Sequence, residues 1–574
     1  MIYLLDYGAG NVRSLANSIS QLGFEYKWVE SPKDLKHATK LIFPGVGAFG
    51  PAMNALRSKG YAESLIEYIK SGKPYMGICI GMQALFLSSE ESPDVPGLGI
   101  VPAHVAKFDS TRKTVPHMGW NMAVEISHSG LKQGEVRSNI HQEYYYVHSF
   151  RVKYDKPLKA WTKTVTRYKD EVFVSSLRRG NLFATQFHPE KSGPAGLLLL
   201  KQWLSESPSL FPLHSLSDAT DLNPNFQDSD IVCDLRKRII ACLDVRENDQ
   251  GDLVVTKGDQ YDVREPSSIQ ETSQKTDAKG QVRNLGKPVD LARRYYQEGA
   301  DEITFLNITS FRSCPLNDQP MLSVLEKAAE SVFVPFCVGG GIRDSTDPDG
   351  TQRPALEVAT AYFRAGADKV SIGSDAVIAV EAFMRKNNIK KSGIEEISRV
   401  YGKQAVVVSI DPRRVYVAKV EDAPLQHQSS VVDLSSRFFV RDSGRVELEP
   451  DLGPNGESFC WYQCTINGGR ESRPVDVVQM AKGVEALGAG EILLNSVDKD
   501  GSKSGFDLRL VELVRRHVTI PVIASSGAGK VEDFESVFEK TNVEAALAAG
   551  IFHRNEVTIS SVKSQLFLKN KNIS

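Results

Sequence analysis

A chain of 574 residues is too long for one hydrophobic core, and at roughly 100–200 residues per domain it predicts two to four domains. Its 41% apolar and 24% charged residues are ordinary for a soluble globular enzyme. A net charge of -2 gives no reason to expect nucleic acid or an anionic membrane as partner, and no apolar run is long enough to span a bilayer. Met1-Ile-Tyr-Leu-Leu-Asp6 enters a strand at once, so no signal or transit peptide is expected. The expected location is the cytoplasm, or a plastid if an import address is missing from this sequence. The seven cysteines (Cys79, Cys233, Cys242, Cys314, Cys337, Cys460, Cys464) show neither metal-ligand nor disulfide-framework spacing, which favours a reducing compartment. Cys460-Trp-Tyr-Gln-Cys464 reads as strand packing rather than as half of a zinc site.

From residue 2 to about 204, short apolar strands alternate with helical segments, predicting an open, mostly parallel α/β sheet with sites at the strand C-termini. Strands are expected at 2–5, 41–43 and 73–76, and helices at 12–22, 61–70 and 84–87. Gly77-Ile-Cys-Ile-Gly-Met-Gln83 joins a strand to a helix in the nucleophile-elbow pattern. The glycines permit a tight turn, and a helix N-terminus favours a thiolate at Cys79. The bland alternative is a buried cysteine beside two turn glycines. Upstream, Pro44-Gly-Val-Gly47 ends a strand, and its backbone N–H groups suit an oxyanion hole. A thiolate needs a base and the base an orienter. In Phe183-Ala-Thr-Gln-Phe-His-Pro-Glu190, Pro189 keeps His188 extended, so His188 and Glu190 are expected on one side of the chain.

The order Cys79, His188, Glu190 with Pro-Gly-Val-Gly upstream resembles the class I (triad) glutamine amidotransferases across the first 200 residues. That resemblance implies that Cys79 attacks a glutamine carboxamide and His188 passes the proton to departing ammonia. Glu190 would orient His188, Gln83 would help hold the substrate, and Gly47 would serve the oxyanion. Residues 1–204 are thus taken as a glutaminase domain. Residues 205–235, rich in Ser, Pro, Asp and Asn, read as a tether draped over a domain surface.

Residues 236–574 carry eight strand signals, at 238–245, 302–308, 333–338, 369–372, 404–410, 491–496, 521–525 and 544–549, with helical segments between them. This predicts a (β/α)8 TIM barrel. Ile239-Ile-Ala-Cys-Leu-Asp244 echoes Val406-Val-Val-Ser-Ile-Asp411, and Val338-Gly-Gly-Gly-Ile342 echoes Ser525-Ser-Gly-Ala-Gly529. Gly299-Ala-Asp-Glu-Ile-Thr-Phe-Leu-Asn307 likewise echoes Gly488-Ala-Gly-Glu-Ile-Leu-Leu-Asn495, so strands one to three match strands five to seven, as in a barrel of two half-barrel repeats. Two glycine-rich turns on opposite sides of one mouth make two anion nests, which points to a substrate with a phosphate at each end. Asp244 and Asp411 end matched strands and can divide general-acid and general-base work. Taken singly, each would more readily be a capping aspartate.

These runs, with Ala367-Asp-Lys-Val-Ser-Ile372, Asp498-Lys-Asp-Gly501 and Ala524-Ser-Ser-Gly-Ala-Gly529, resemble the cyclase of the imidazole glycerol phosphate synthase family of histidine biosynthesis. With a glutaminase in front, the chain resembles the family's single-chain form. The resemblance implies Asp244 and Asp411 as the acid–base pair for ring closure and Lys257 as a substrate contact. One phosphate would lie near Gly341 and Ser374, the other near Asp500, Gly501, Gly527 and Gly550. Gly373 and Gly550 stand where side-chain donors are often found, so contacts there would be made by backbone. The implied substrates are glutamine and a bis-phosphorylated aminoimidazole carboxamide nucleotide, with no metal and no organic cofactor. The chain is expected to be a monomer whose two domains dock on one another.

Arg238, Glu302, Lys369 and Glu491 begin strands on the face opposite the chemistry, where residues normally serve stability. In the resembled family such a ring is the gate through which ammonia enters the barrel, so the glutaminase is expected on that face. Residues 265–282 read as a polar lid-position loop, and 345–354 and 421–458 as elaborations without an assigned role. Other readings make different demands on the sequence. A sugar isomerase barrel of the same pathway would have no use for a glutaminase. A pyridoxal phosphate synthase barrel would need strand-end lysines where Asp244 and Asp411 stand. A non-catalytic scaffold would be expected to lack Cys79, His188, Glu190 or an aspartate.

Overall fold

The computed structural model describes residues 1–8, 10–126, 141–155, 158–206, 231, 235–248, 253–256, 284–308, 316, 319–386, 391–441 and 444–569. The first domain is built on a nine-stranded sheet. Its order is Tyr26–Trp28, Ile2–Leu4, Lys40–Phe43, Tyr75–Ile78, Leu182–Thr185, Glu171–Arg179, Thr162–Tyr168, His117–Glu125 and His141–His148. The first five strands are parallel and the last four antiparallel, so the expected mostly parallel sheet is a mixed one. The strands of the parallel half that lie inside the sheet are short and buried throughout, as strands covered on both faces must be. The antiparallel strands are longer and read more weakly as apolar runs.

In the second domain, β1 (Arg238–Glu247), β2 (Glu302–Asn307), β3 (Phe336–Gly339), β4 (Lys369–Ile372), β5 (Val406–Ile410), β6 (Glu491–Asn495), β7 (Val522–Ser525) and β8 (Ala545–Ala548) pair in sequence order. Pairing of Arg238 with Ala545 closes the barrel. The two halves share one register. Ile240 pairs with Glu302 as Val407 pairs with Glu491, and Ile303 pairs with Phe336 as Ile492 pairs with Val522. Ile240, Cys242, Cys337, Val407, Leu493, Ile523 and Leu547 form a separate buried apolar cluster of strand residues.

Residues 345–354 fold as a small hairpin. The second elaboration joins a sheet built from Pro412–Val417, Phe459–Ile466, Val432–Asp433 and Glu471–Asp476. Cys460 and Cys464 lie buried in its central strand, as packing residues. Residues 265–282, with the expected loop, and Lys257 lie outside the described residues.

The first domain rests on the N-terminal end of the barrel. Gly193 N–H donates to Phe333 O at 3.0 Å and Val115 N–H to Thr519 O at 2.9 Å. Trp120 Nε1–H donates to Asp301 O at 3.3 Å, and Thr114 Oγ1 to Glu544 Oε1 at 3.1 Å. Each of these barrel residues lies just before a strand. Met118, Trp120, Tyr145 and Val147 belong to the same buried cluster as the barrel core.

Candidate active site

Cys79 follows the strand Tyr75–Ile78 directly and adopts φ 51°, ψ -100°, a strained conformation that a side chain rarely takes. Close approach explains both glycines of the elbow. A Cβ on Gly77 would stand 2.4 Å from Gly81 O, and one on Gly81 would stand 2.0 Å from Phe43 O. The helix that follows is Ile80–Gln83, immediately after Cys79, rather than at 84–87, which turn. The tight turn thus makes Cys79 the residue that immediately precedes the short helix. The turn carrying Gly47 is tied to the elbow by Ile80 N–H donating to Gly45 O at 3.4 Å.

His188 Nδ1 lies 2.8 Å from Glu190 Oε1, both side chains buried. The expected extended run gives way to a short 3-10 turn at Pro189–Lys191, and that turn swings Glu190 under the imidazole. Burial alone disfavours the imidazolium, but the charges of Glu190 and Cys79 outweigh it and hold the His188 proton well above the ordinary histidine range. His188 Nε2 is buried and makes no conventional hydrogen bond among the described residues, and the imidazole's remaining interaction is with the Cys79 sulfur. Gln186 Nε2 donates to Cys79 Sγ at 3.5 Å. This residue lies two positions before His188 in the same run, and its i, i+2 spacing was the available signal. Gln83 is buried, and its amide donates to Phe150 O at 3.2 Å and Gln186 Oε1 at 3.0 Å. Glu91, also unforeseen, accepts Phe49 N–H at 2.7 Å, and burial pushes its carboxyl up to about 7.

At the opposite end of the barrel, Asp244 lies in β1 and Asp411 directly after β5, four strands apart in a ring of eight. Asn495 Nδ2 donates to Asp411 Oδ1 at 2.7 Å, and Ser409 Oγ lies 3.4 Å from the same oxygen. Burial raises the Asp411 carboxyl above the usual range against those hydrogen bonds. Cys242 has its thiol raised by burial and then by the charges of Asp244, Cys337 and Asp500, so Asp244 and Asp500 share one neighbourhood. After β3, Gly340 and Gly341 have φ 94° and 78°, and a Cβ at Gly341 would meet open space. Ser374 begins the helix Ser374–Met384, with its hydroxyl accepting Asn467 N–H at 3.0 Å. On the other side, Gly501 and Gly527 take φ 67° and 97°, and Gly550 begins Gly550–His553. The nests after β3 and β7 therefore face one another across the mouth.

The four strand-start charges form a closed ring. Arg238 pairs with Glu302 at 2.8 Å and with Glu491, while Lys369 pairs with both glutamates at 2.6 Å. All four side chains are inaccessible to solvent. Burial opposes the charges of Lys369 and Glu491, but the opposite charges around the ring win, raising Lys369 and lowering Glu491. The glutaminase sits on this ring. Lys369 Nζ lies 3.6 Å from Met118 Sδ, and Tyr145 lies close enough to feel all four charges. Tyr145 O in turn accepts His188 N–H at 2.9 Å.

A glutaminase-type triad and a two-nest barrel on one chain define a class, an amidotransferase joined to a phosphate-substrate (β/α)8 enzyme. Family models agree: glutamine amidotransferase class-I matches residues 3–206, and histidine biosynthesis protein matches residues 238–558. Imidazole glycerol phosphate synthase hisHF of Emericella nidulans is 52% identical over 577 residues, covering 98% of this chain and 97% of that protein. Its counterpart in Schizosaccharomyces pombe is 52% identical over 572 residues, covering 99% and 98%. The chloroplastic protein of Arabidopsis thaliana is 52% identical over 570 residues, covering 99% and 88%. The chain belongs to the imidazole glycerol phosphate synthase family, in its bifunctional single-chain form, an enzyme with glutaminase and lyase-type activity.

Proposed function

We propose that the two centres run one reaction in series. Cys79 attacks the glutamine carboxamide to form a glutamyl thioester, His188 gives its proton to the departing ammonia and then activates the water that hydrolyses the thioester to glutamate, and Glu190 holds the ring for both steps. Gly47 and its neighbours stabilise the oxyanion. Ammonia crosses the ring of Arg238, Glu302, Lys369 and Glu491 as NH₃, since a buried ammonium would be costly, and follows the apolar barrel interior. At the far mouth it joins the open ribulosyl chain of a bis-phosphorylated aminoimidazole carboxamide nucleotide and a new imidazole ring closes there, releasing imidazole glycerol phosphate and the carboxamide ribonucleotide. Asp411, raised by burial, acts as the acid, with Asp244 as its partner. Gly341 and Ser374 cradle one phosphate, and Asp500, Gly501, Gly527 and Gly550 border the other. Lys257 contacts the substrate from the first loop. The division of labour falls at residues 204 and 236, and the protein works in the cytoplasm as a monomer.

The observation that carries this reading is the seat of the glutaminase: its Met118 and Tyr145 lie on the charged ring at the barrel's closed end. Turnover with glutamine or with an ammonium salt tests it. Cys79→Ala should lose the first and keep the second at raised pH, whereas Asp244→Asn should lose product with both. Glutamine-dependent product from Cys79→Ala would overturn the reading.

A further inference from the structure

Behind the elbow, the sequence places two histidines opposite one another in an apolar box. His117 and His148 are cross-strand partners at the end of the antiparallel half-sheet. Both are buried among Phe108, Tyr146, Tyr168 and Phe173. His148 Nδ1 lies 2.7 Å from Phe150 O, and a carbonyl accepts, so this nitrogen carries the proton. His148 Nε2 must then accept from His117 Nδ1 at 3.0 Å, and His117 Nε2 accepts from Asn121 Nδ2 at 3.1 Å. The second Asn121 amide hydrogen goes to Arg167 O at 3.0 Å. The tautomers are therefore determined from both ends with every donor matched. Burial lowers both imidazoles below the ordinary range, and the charges of His188 and Arg151 push His148 the same way against the Phe150 carbonyl bond, which keeps the pair neutral.

The polar chain does not stop at Phe150. The same carbonyl accepts Gln83 Nε2 at 3.2 Å, and Gln83 Nε2 also reaches Gln186 Oε1 at 3.0 Å. Gln186 Nε2 then donates to Cys79 Sγ at 3.5 Å. Alternation along His117–Glu125 puts residues 117 and 121 on the face away from Met118 and Trp120, which touch the barrel. One strand thus carries the barrel contact on one face and the start of the relay on the other.

We propose that Asn121, His117 and His148 are positioning residues of the glutaminase, a neutral relay that sets the Phe150 carbonyl, Gln83 and Gln186 and thereby the hydrogen bond on the Cys79 thiolate. It rests on Cys79 as the nucleophile, and Cys79→Ala tests that premise separately. A hydrogen bond to a thiolate stabilises the charged form, so slackening the relay raises the pH at which the sulfur becomes reactive.

The test uses the full chain with His117→Phe, which keeps the ring packing and removes both nitrogens, and His117→Asn, whose amide can still donate to His148. Alkylation of Cys79 by iodoacetamide is followed by mass spectrometry across pH, beside glutaminase kinetics and ammonium-dependent product formation. In His117→Phe the alkylation midpoint should rise by about one pH unit, the worth of one charge-assisted hydrogen bond. Its glutaminase kcat should fall about 100-fold with little change in KM, and ammonium-dependent turnover should persist. His117→Asn should restore the midpoint and most of the kcat. An unshifted midpoint in His117→Phe overturns the proposal, as does a lost kcat that His117→Asn fails to rescue. If His117→Phe does not fold, Gln83→Leu decides by the same midpoint: a rise supports the relay and no change overturns it.

Discussion

At Glu91, burial acts on a single side chain in a way that pH can read. Its carboxyl is raised from 4.5 to about 7, with the Phe49 N–H bond opposing the shift. The folded state therefore binds this proton more tightly than the unfolded chain. The associated stability is fully present below the unfolded value and is lost as pH rises through the folded one. The loss between pH 4.5 and 7 should reach at most about 3 kcal/mol. Glu91→Gln should remove that slope in urea melts recorded across the window, and an unchanged slope would show the carboxylate to be well solvated. At Cys79 the same scale explains why the motif was readable. The glycines at 77 and 81 are required because a Cβ there would come within 2.4 and 2.0 Å of backbone oxygens a few residues or one strand away. The orientation of Glu190 was foreseen for a different reason than the one that operates, since a 3-10 turn and not an extended strand brings it to His188.

Among elements, the ring at the barrel floor shows a balance that a substitution should upset. Lys369 lies against Glu302 and Glu491, out of contact with water. Lys369→Met leaves two glutamates facing one arginine and should cost about 3–5 kcal/mol, the usual effect of stranding a buried charge. It should also uncouple the centres: glutamate should form in greater excess over imidazole product than in the parent enzyme. Stoichiometry that stays matched would remove the ring from the ammonia path. All eight barrel strands were legible, because strands covered by helices on one side and packed inside on the other read as apolar runs. The half-barrel repeat was legible too, and its shared register explains why Asn495, the β6 counterpart of Leu306 in β2, meets Asp411. The antiparallel half of the first sheet was not legible, because its longer strands interleave Thr, Ser and His with apolar residues and have no such signature.

For the whole molecule, Asp368 joins the domains. It forms an ion pair with Lys191 Nζ at 2.7 Å and accepts Asn11 Nδ2–H at 2.9 Å and Phe336 N–H at 2.8 Å. Asp368→Ala should leave the buried Lys191 unpaired and depress glutamine-dependent turnover about tenfold or more, with ammonium-dependent turnover little changed. Equal losses with both nitrogen sources would mean that the barrel itself is damaged. The amino-acid sequence alone determined the elbow, the strand-end aspartates, the glycine nests and the strand-start charges, because each depends on backbone conformation or on a period within a few residues. The tertiary structure decided which of these meet. Asn11 reaches Asp368 across 357 positions and Met118 reaches Lys369 across 251, and no local periodicity encodes such encounters. The mixed sheet, the seat of the glutaminase on the ring and the two-histidine relay behind Cys79 arise from packing of whole domains, where burial rather than spacing selects the partner.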